Sequence, residues 1–273
     1  GGTGDGPPDR PAANARAARG PGRHRLFQLA QWKILPRSIL GCEAKPPLCV
    51  ACQFGQAHRR PWRSKTKAGG SIRHDNETQP GDGTSVDQIV SAQPGLIPQM
   101  AGFLTSDHIW GTMNFCDHAR NFVYVHLMRN FTLKERQLAK RAYEKVLKQA
   151  GRTARHYHAD NGRFANNLFL QDKADKNQSI TYCGVNAHFQ NGIAEKKIRD
   201  LQDLTHTSLL HAMSCWPKVI ANFLWPYALR SANDALVCAP ERIDGKSASN
   251  IFACTTDSPK LASFRPFACP VYF

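Results

Sequence analysis

Apolar and polar positions alternate with a period of two over Ser85–Ala92, Ile109–Asp117 and Asn121–Met128, the pattern of strands that bury one face. Three such runs in succession predict a meander, with Asp117-His118-Ala119-Arg120 turning between the second and third. Gln93 to Thr105 carries Pro and Gly and is expected as an insert between the first two. From Thr132 to Ala150 the period lengthens to that of a helix: Thr132 can cap it, Glu135 stands at the third following position, and Gly151 stops it. Arg155–Ala159 then reads as a short strand ending on Asp160, Phe164–Asp175 as a helix and Ser179–Cys183 as a fifth strand. A long helix follows over Ile193–Met213, and Pro217–Leu236 is expected to be helical with a break before Pro226. The order predicts an α/β domain with a mixed five-stranded sheet and flanking helices.

The long helix has two faces. At roughly 100° per residue, Ala194, Ile198, Leu201, Thr205, Leu209 and Ala212 form a stripe for packing on the sheet, and Glu195, Arg199, Gln202 and His206 share a polar ridge. A surface Glu–Arg pair one turn apart is the plain alternative for that ridge.

Upstream of the periodic region the composition changes. Residues 1–25 are rich in Gly, Pro, Ala and Arg and are expected to be a disordered, basic low-complexity segment. Residues 26–67 make a module with a short helix over Leu26–Leu40, interrupted at Pro36, and the basic run His58–Lys67; residues 68–83 are linker-like. Residues 84–250 are the expected core, and 251–273 begin a further segment. The chain begins at Gly1 and stops shortly after Tyr272, which suggests a piece of a longer protein. Net charge is +15, and residues 1–80 hold 14 Lys/Arg against 5 acids, a distribution that points to nucleic acid. Nine cysteines lack a regular framework, which favours reduced thiols, and no apolar run approaches the roughly 20 residues that span a membrane.

Three acids carry the candidate chemistry. Asp87 interrupts a strand, where aspartate is disfavoured. Asp160 ends a short strand before Asn-Gly, although Asp-Asn-Gly is also a good turn. Glu195 lies at the start of the long helix, with 34 residues between it and Asp160. Hard oxygen ligands from separate elements suit magnesium. His156, His158 and Asp160 alternate on one strand and could instead gather as a zinc cluster. Cys49-x-x-Cys52 has the spacing of half a zinc site, with Cys42 and His58 as further donors. Arg59, Arg60, Trp62 and Arg63 combine cations with an aromatic face, as nucleic-acid contacts do; an unstructured basic linker would look the same.

From Leu48 to Phe273 the chain resembles the integrase of copia-type LTR retrotransposons, within the retroviral-integrase-like polynucleotidyl transferases. The resemblance rests on Gln190-Asn191-Gly192-Ile193-Ala194-Glu195-Lys196-Lys197, on His156-Tyr157-His158-Ala159-Asp160-Asn161-Gly162, and on Phe264-Arg265-Pro266-Phe267-Ala268-Cys269-Pro270-Val271-Tyr272. It implies an RNase H-like fold, with Asp87, Asp160 and Glu195 holding two Mg²⁺ or Mn²⁺ ions and Asn191, Lys196, Lys197 and Arg199 at the DNA. It also implies joining of element cDNA 3′ ends to target DNA, a homo-oligomer, and a nuclear location with a cytoplasmic particle stage. The family places two histidines upstream of the Cys-x-x-Cys pair; here only His24 precedes it, so the zinc module looks degenerate. The alternatives are a catalytically dead, nucleic-acid-binding remnant and an RNase H-type nuclease.

Overall fold

The computed structural model describes residues 30–33, 36–41, 50–55, 79–98, 105–119, 121–160, 164, 167–184, 191–240, 246–255 and 264–269. Strands β1 (Thr84–Leu96), β2 (His108–Asp117), β3 (Val123–Met128), β4 (His156–Ala159) and β5 (Ser179–Tyr182) form one sheet in the order β3-β2-β1-β4-β5. β2 is antiparallel to β1 and β3, whereas β4 is parallel to β1 and β5 to β4. Helices α1 (Val50–Gly55), α2 (Leu133–Gln149), α3 (Asn167–Asp175), α4 (Gly192–Cys215), α5 (Trp225–Cys238) and α6 (Ala248–Phe252) complete it. This is an RNase H-like sheet, with only β2 reversed.

Each face of the sheet has its own core. On one, Val86, Phe115, Tyr157 and Ala159 pack with Tyr143 and Leu147 of α2 and Phe252 of α6. Phe115 stacks on Tyr143 at 4.6 Å between ring centres, and Phe122 on Phe252 at 3.9 Å. On the other face, Cys116 and Val123 meet Ala194 of α4 and Val237 of α5, and Leu201 meets Leu229 and Ala232. The start of α2 is as its sequence predicts: the Thr132 side chain accepts from Glu135 N, and Gly151 beyond the C-cap takes φ +69°.

Two expectations are corrected. β1 runs through Gln93–Leu96, where an insert was expected, with a register shift between Val90 and Gly95. Helix α5 imposes this: Trp225 Nε1 donates to Gln93 O at 3.2 Å, and a Cβ on Gly95 would lie 2.6 Å from Trp225 Nε1. Residues 217–219 are a turn, not helix, and Pro226 sits in the first turn of α5, where its missing N–H costs nothing.

A buried ammonium ties α2 to α3 and β5. Lys140 is fully buried; it donates to Glu144 Oε1 at 2.7 Å, to Gln178 Oε1 at 2.7 Å and to Asp172 Oδ2. Lys176 bridges the same two acids, at 2.6 Å from Glu144 and 3.0 Å from Asp172. Burial pushes both carboxyls up, but hydrogen bonds from the two lysines outweigh it and hold them below their ordinary values.

Candidate active site

The alternation of β1 turns Val86 into the α2-side core and Asp87 to the opposite face, across from Asn114 of β2. Asp87 Oδ1 accepts from Gln88 N at 2.7 Å. Val86 pairs with Ala159, the last residue of β4, so Asp160 leaves the sheet at the level of Asp87. The parallel register thus brings together two acids 73 positions apart in the chain.

Helix α4 supplies the third. It buries Ala194, Leu201, Thr205, Leu209 and Ala212, the stripe its periodicity predicts; Arg199 and His206 are exposed and Glu195 is half-buried. Asn191, expected at the DNA, is instead 4% exposed and donates its Nδ2 to Val86 O at 3.2 Å. It hooks the helix onto the carbonyl just before Asp87, which makes it a positioning residue. Lys197 is likewise half-buried, with its charge acting on the buried Cys116, whereas Lys196 and Arg199 are open to solvent. Burial pushes the Cys116 thiol up to about 12, Lys197 pulls it down, and Asp87 and Asp117 push it up.

Cys183 reports the convergence of the acids. Burial raises its thiol pKa first, and Asp160, Glu195 and Asp87 each raise it further. One sulfur therefore lies within the field of all three carboxylates. Among the described residues no group of three or more His, Cys, Asp or Glu is drawn close enough to grip a metal ion, so the acids form a shared neighbourhood without a closed cage. They fit a hydrated divalent cation by donor chemistry, since all three offer hard oxygen. Asn191 Oδ1 fits too: it is buried without a hydrogen-bond partner beside Asp87, where a water on such an ion would donate to it.

A run of side chains on β4 and β5 leads into this neighbourhood. His156 Nδ1 lies 2.7 Å from Ser179 Oγ and its Nε2 3.0 Å from Thr181 Oγ1. His158 Nδ1 lies 2.8 Å from Thr181 Oγ1 and its Nε2 3.5 Å from Cys183 Sγ. Ser179 donates its hydroxyl proton to Arg155 O at 3.3 Å, and that single acceptor sets the direction of the rest. His156 Nδ1–H donates to Ser179, Thr181 donates to His156 Nε2, His158 Nδ1–H donates to Thr181, and the Cys183 thiol donates to His158 Nε2. Both imidazoles are then neutral with every pairing satisfied. The predicted alternation of His156 and His158 holds, but they face hydroxyls and a thiol and form no zinc cluster with Asp160.

The sequence-level candidates omitted Cys183, Ser179 and Thr181, although His-x-His followed by Ser-x-Thr-x-Cys at strand spacing carries the signal. They also omitted Asp117, a buried carboxylate accepting from Gly81 N at 2.7 Å, which anchors the entry to β1. Cys52 lies half-buried on α1, which packs on α4; Cys49, Arg59, Arg60, Trp62 and Arg63 lie outside the described residues.

No protein-family model matches the chain, and no curated protein matches it. Solved structures do. The chain is similar to the HTLV-2 integrase catalytic core domain in complex with magnesium, at 14% identity and TM-score 0.43 over 64% of this chain and 97% of that one. The integrase core of BIV matches at 16% and 0.42 over 63% and 93%. A simian T-cell lymphotropic virus intasome, in complex with PP2A regulatory subunit B56 gamma, matches at 17% and 0.48 over 82% and 68%. Likenesses this loose leave the functional question to the residues. Among the described residues no helix is long and apolar enough to cross a membrane.

Proposed function

We propose that the chain is the core of a polynucleotidyl transferase of the integrase type, resembling copia-type elements, that joins a DNA 3′ end to target DNA. The observation that carries this reading is the field of Asp87, Asp160 and Glu195 meeting at Cys183. Those three residues would hold two Mg²⁺ or Mn²⁺ ions. Bound ions supply Lewis acidity at the scissile phosphate and a more acidic attacking hydroxyl. The protein's own part is placement. Asn191 fixes the root of α4 against β1, so Glu195 keeps its position relative to Asp87. Arg199 and Lys196, on the open ridge, meet phosphates and set the register of the DNA. The basic run at Arg59–Arg63 adds affinity without sequence preference, and the chain works in the nucleus as a homo-oligomer.

The test is strand transfer of a labelled DNA end in Mg²⁺ or Mn²⁺. Wild type yields joined product, and Asp160→Asn lowers it at least ~100-fold with an unchanged melting temperature. Equal background from the two proteins sinks the reading. A second reading, a nucleic-acid-binding remnant without catalysis, is favoured by the lack of three donors within gripping distance among the described residues. It predicts DNA binding with no product from either protein.

A further inference from the structure

We infer that Cys183 Sγ and His158 Nε2 form the protein half of a binding site for a soft divalent cation, of the zinc or cadmium type, beside the three carboxylates. The two atoms stand 3.5 Å apart. With Zn–S of about 2.3 Å and Zn–N of about 2.0–2.1 Å, that separation subtends an angle at the metal close to tetrahedral. The pair is also oriented correctly. Thr181 takes the Nδ1 proton of His158, which turns the Nε2 lone pair toward the sulfur, the outer-shell arrangement that metal-bound histidines use.

A thiol proton now occupies the line between the two atoms, and the cation replaces it. The S–H bond breaks, metal–sulfur and metal–nitrogen bonds form, and the proton leaves to solvent; no oxidant or reductant is needed. Asp160, Glu195 and Asp87 all act on this sulfur and offset the positive charge. His158 is half-exposed and gives the cation a route in, while Cys183 is 2% exposed. Because the described residues hold no ready group of three donors, water or a carboxylate oxygen fills the remaining positions and the site exchanges its metal. Thiolate and imidazole select zinc or cadmium over magnesium, so the pair is chemically separate from the hard-ion role proposed for the acids.

Titration of the full chain with CdCl₂ tests this, by thiolate-to-cadmium charge-transfer absorption and by proton release in weak buffer. Cys183→Ser is expected to lose one equivalent of bound cadmium together with its band and its proton. His158→Ala keeps every thiol, so it separates the pair from other cysteines; it too should drop that equivalent. Thr181→Val should weaken it roughly tenfold. The combined variant Asp87→Asn, Asp160→Asn, Glu195→Gln should keep the band. If Cys183→Ser and His158→Ala both titrate like wild type, or the triple variant alone abolishes the band, the inference is overturned. None of these readouts depends on strand transfer, so an inactive protein leaves them valid.

Discussion

Asn191 does its work at the scale of one hydrogen bond, with an oxygen left over. Its amide spans from the root of α4 to Val86 O, and its Oδ1 is buried without a partner. Asn191→Ala should cost about 1–3 kcal/mol of stability, because Val86 O then loses a buried donor. It should also lower strand transfer more than DNA binding, since Glu195 loses its fixed relation to Asp87; thermal melting beside a product assay and fluorescence anisotropy checks both. Equal losses in binding and transfer would contradict the positioning role. The three acids were legible as residues, because Asp in a strand, Asp before Asn-Gly and Glu at a helix start are each locally odd. Cys183 was not, because its importance comes from neighbours contributed by β1, β4 and α4. Asn191 was legible as important and misassigned: spacing alone does not tell a side chain facing a ligand from one pinning its own backbone.

At the scale of elements, α2 and the β5 edge depend on the Lys140 network. Lys140→Met leaves Glu144 and Asp172 short of a buried cation, and equilibrium unfolding should show a loss of about 3–5 kcal/mol. The two carboxyls sit below their ordinary values in the folded chain, so they stabilise it fully above the unfolded values of about 4. That contribution is lost as pH falls through the depressed folded values. Wild type should therefore lose stability on acidification below about pH 4 more steeply than a Glu144→Gln variant. α1 shows the opposite economy, a contact made possible by a missing atom. A Cβ on Gly55 would lie 2.7 Å from Thr207 N and 2.8 Å from its Cα, so Gly55→Ala should push α1 off α4 at a cost of about 1–3 kcal/mol. Strand and helix periods made most elements legible. The β1 extension was hidden because Trp225, some 130 residues away, holds Gln93 and Gly95 in place against their local turn preference.

Across the whole molecule, two cores share one sheet, and the acids lie where the register of β1, β4 and α4 converges. The RNase H-like order was legible because each strand announces itself by its own alternation. The long contacts that close it were not. Charge acts at this scale as well: with a net +15, DNA binding measured by anisotropy should weaken steeply with salt. Removing residues 1–67 should flatten that slope, and an unchanged slope would place the electrostatic grip on α4 and its surroundings. The stacking of Phe122 on Phe252 has a temporal consequence. A nascent chain can pair β1 with β2 early, yet one hydrophobic layer stays open until α6 has been synthesised. A protein cut before Ala248 should be caught more readily by chaperones and proteases than its nearly complete sheet would suggest.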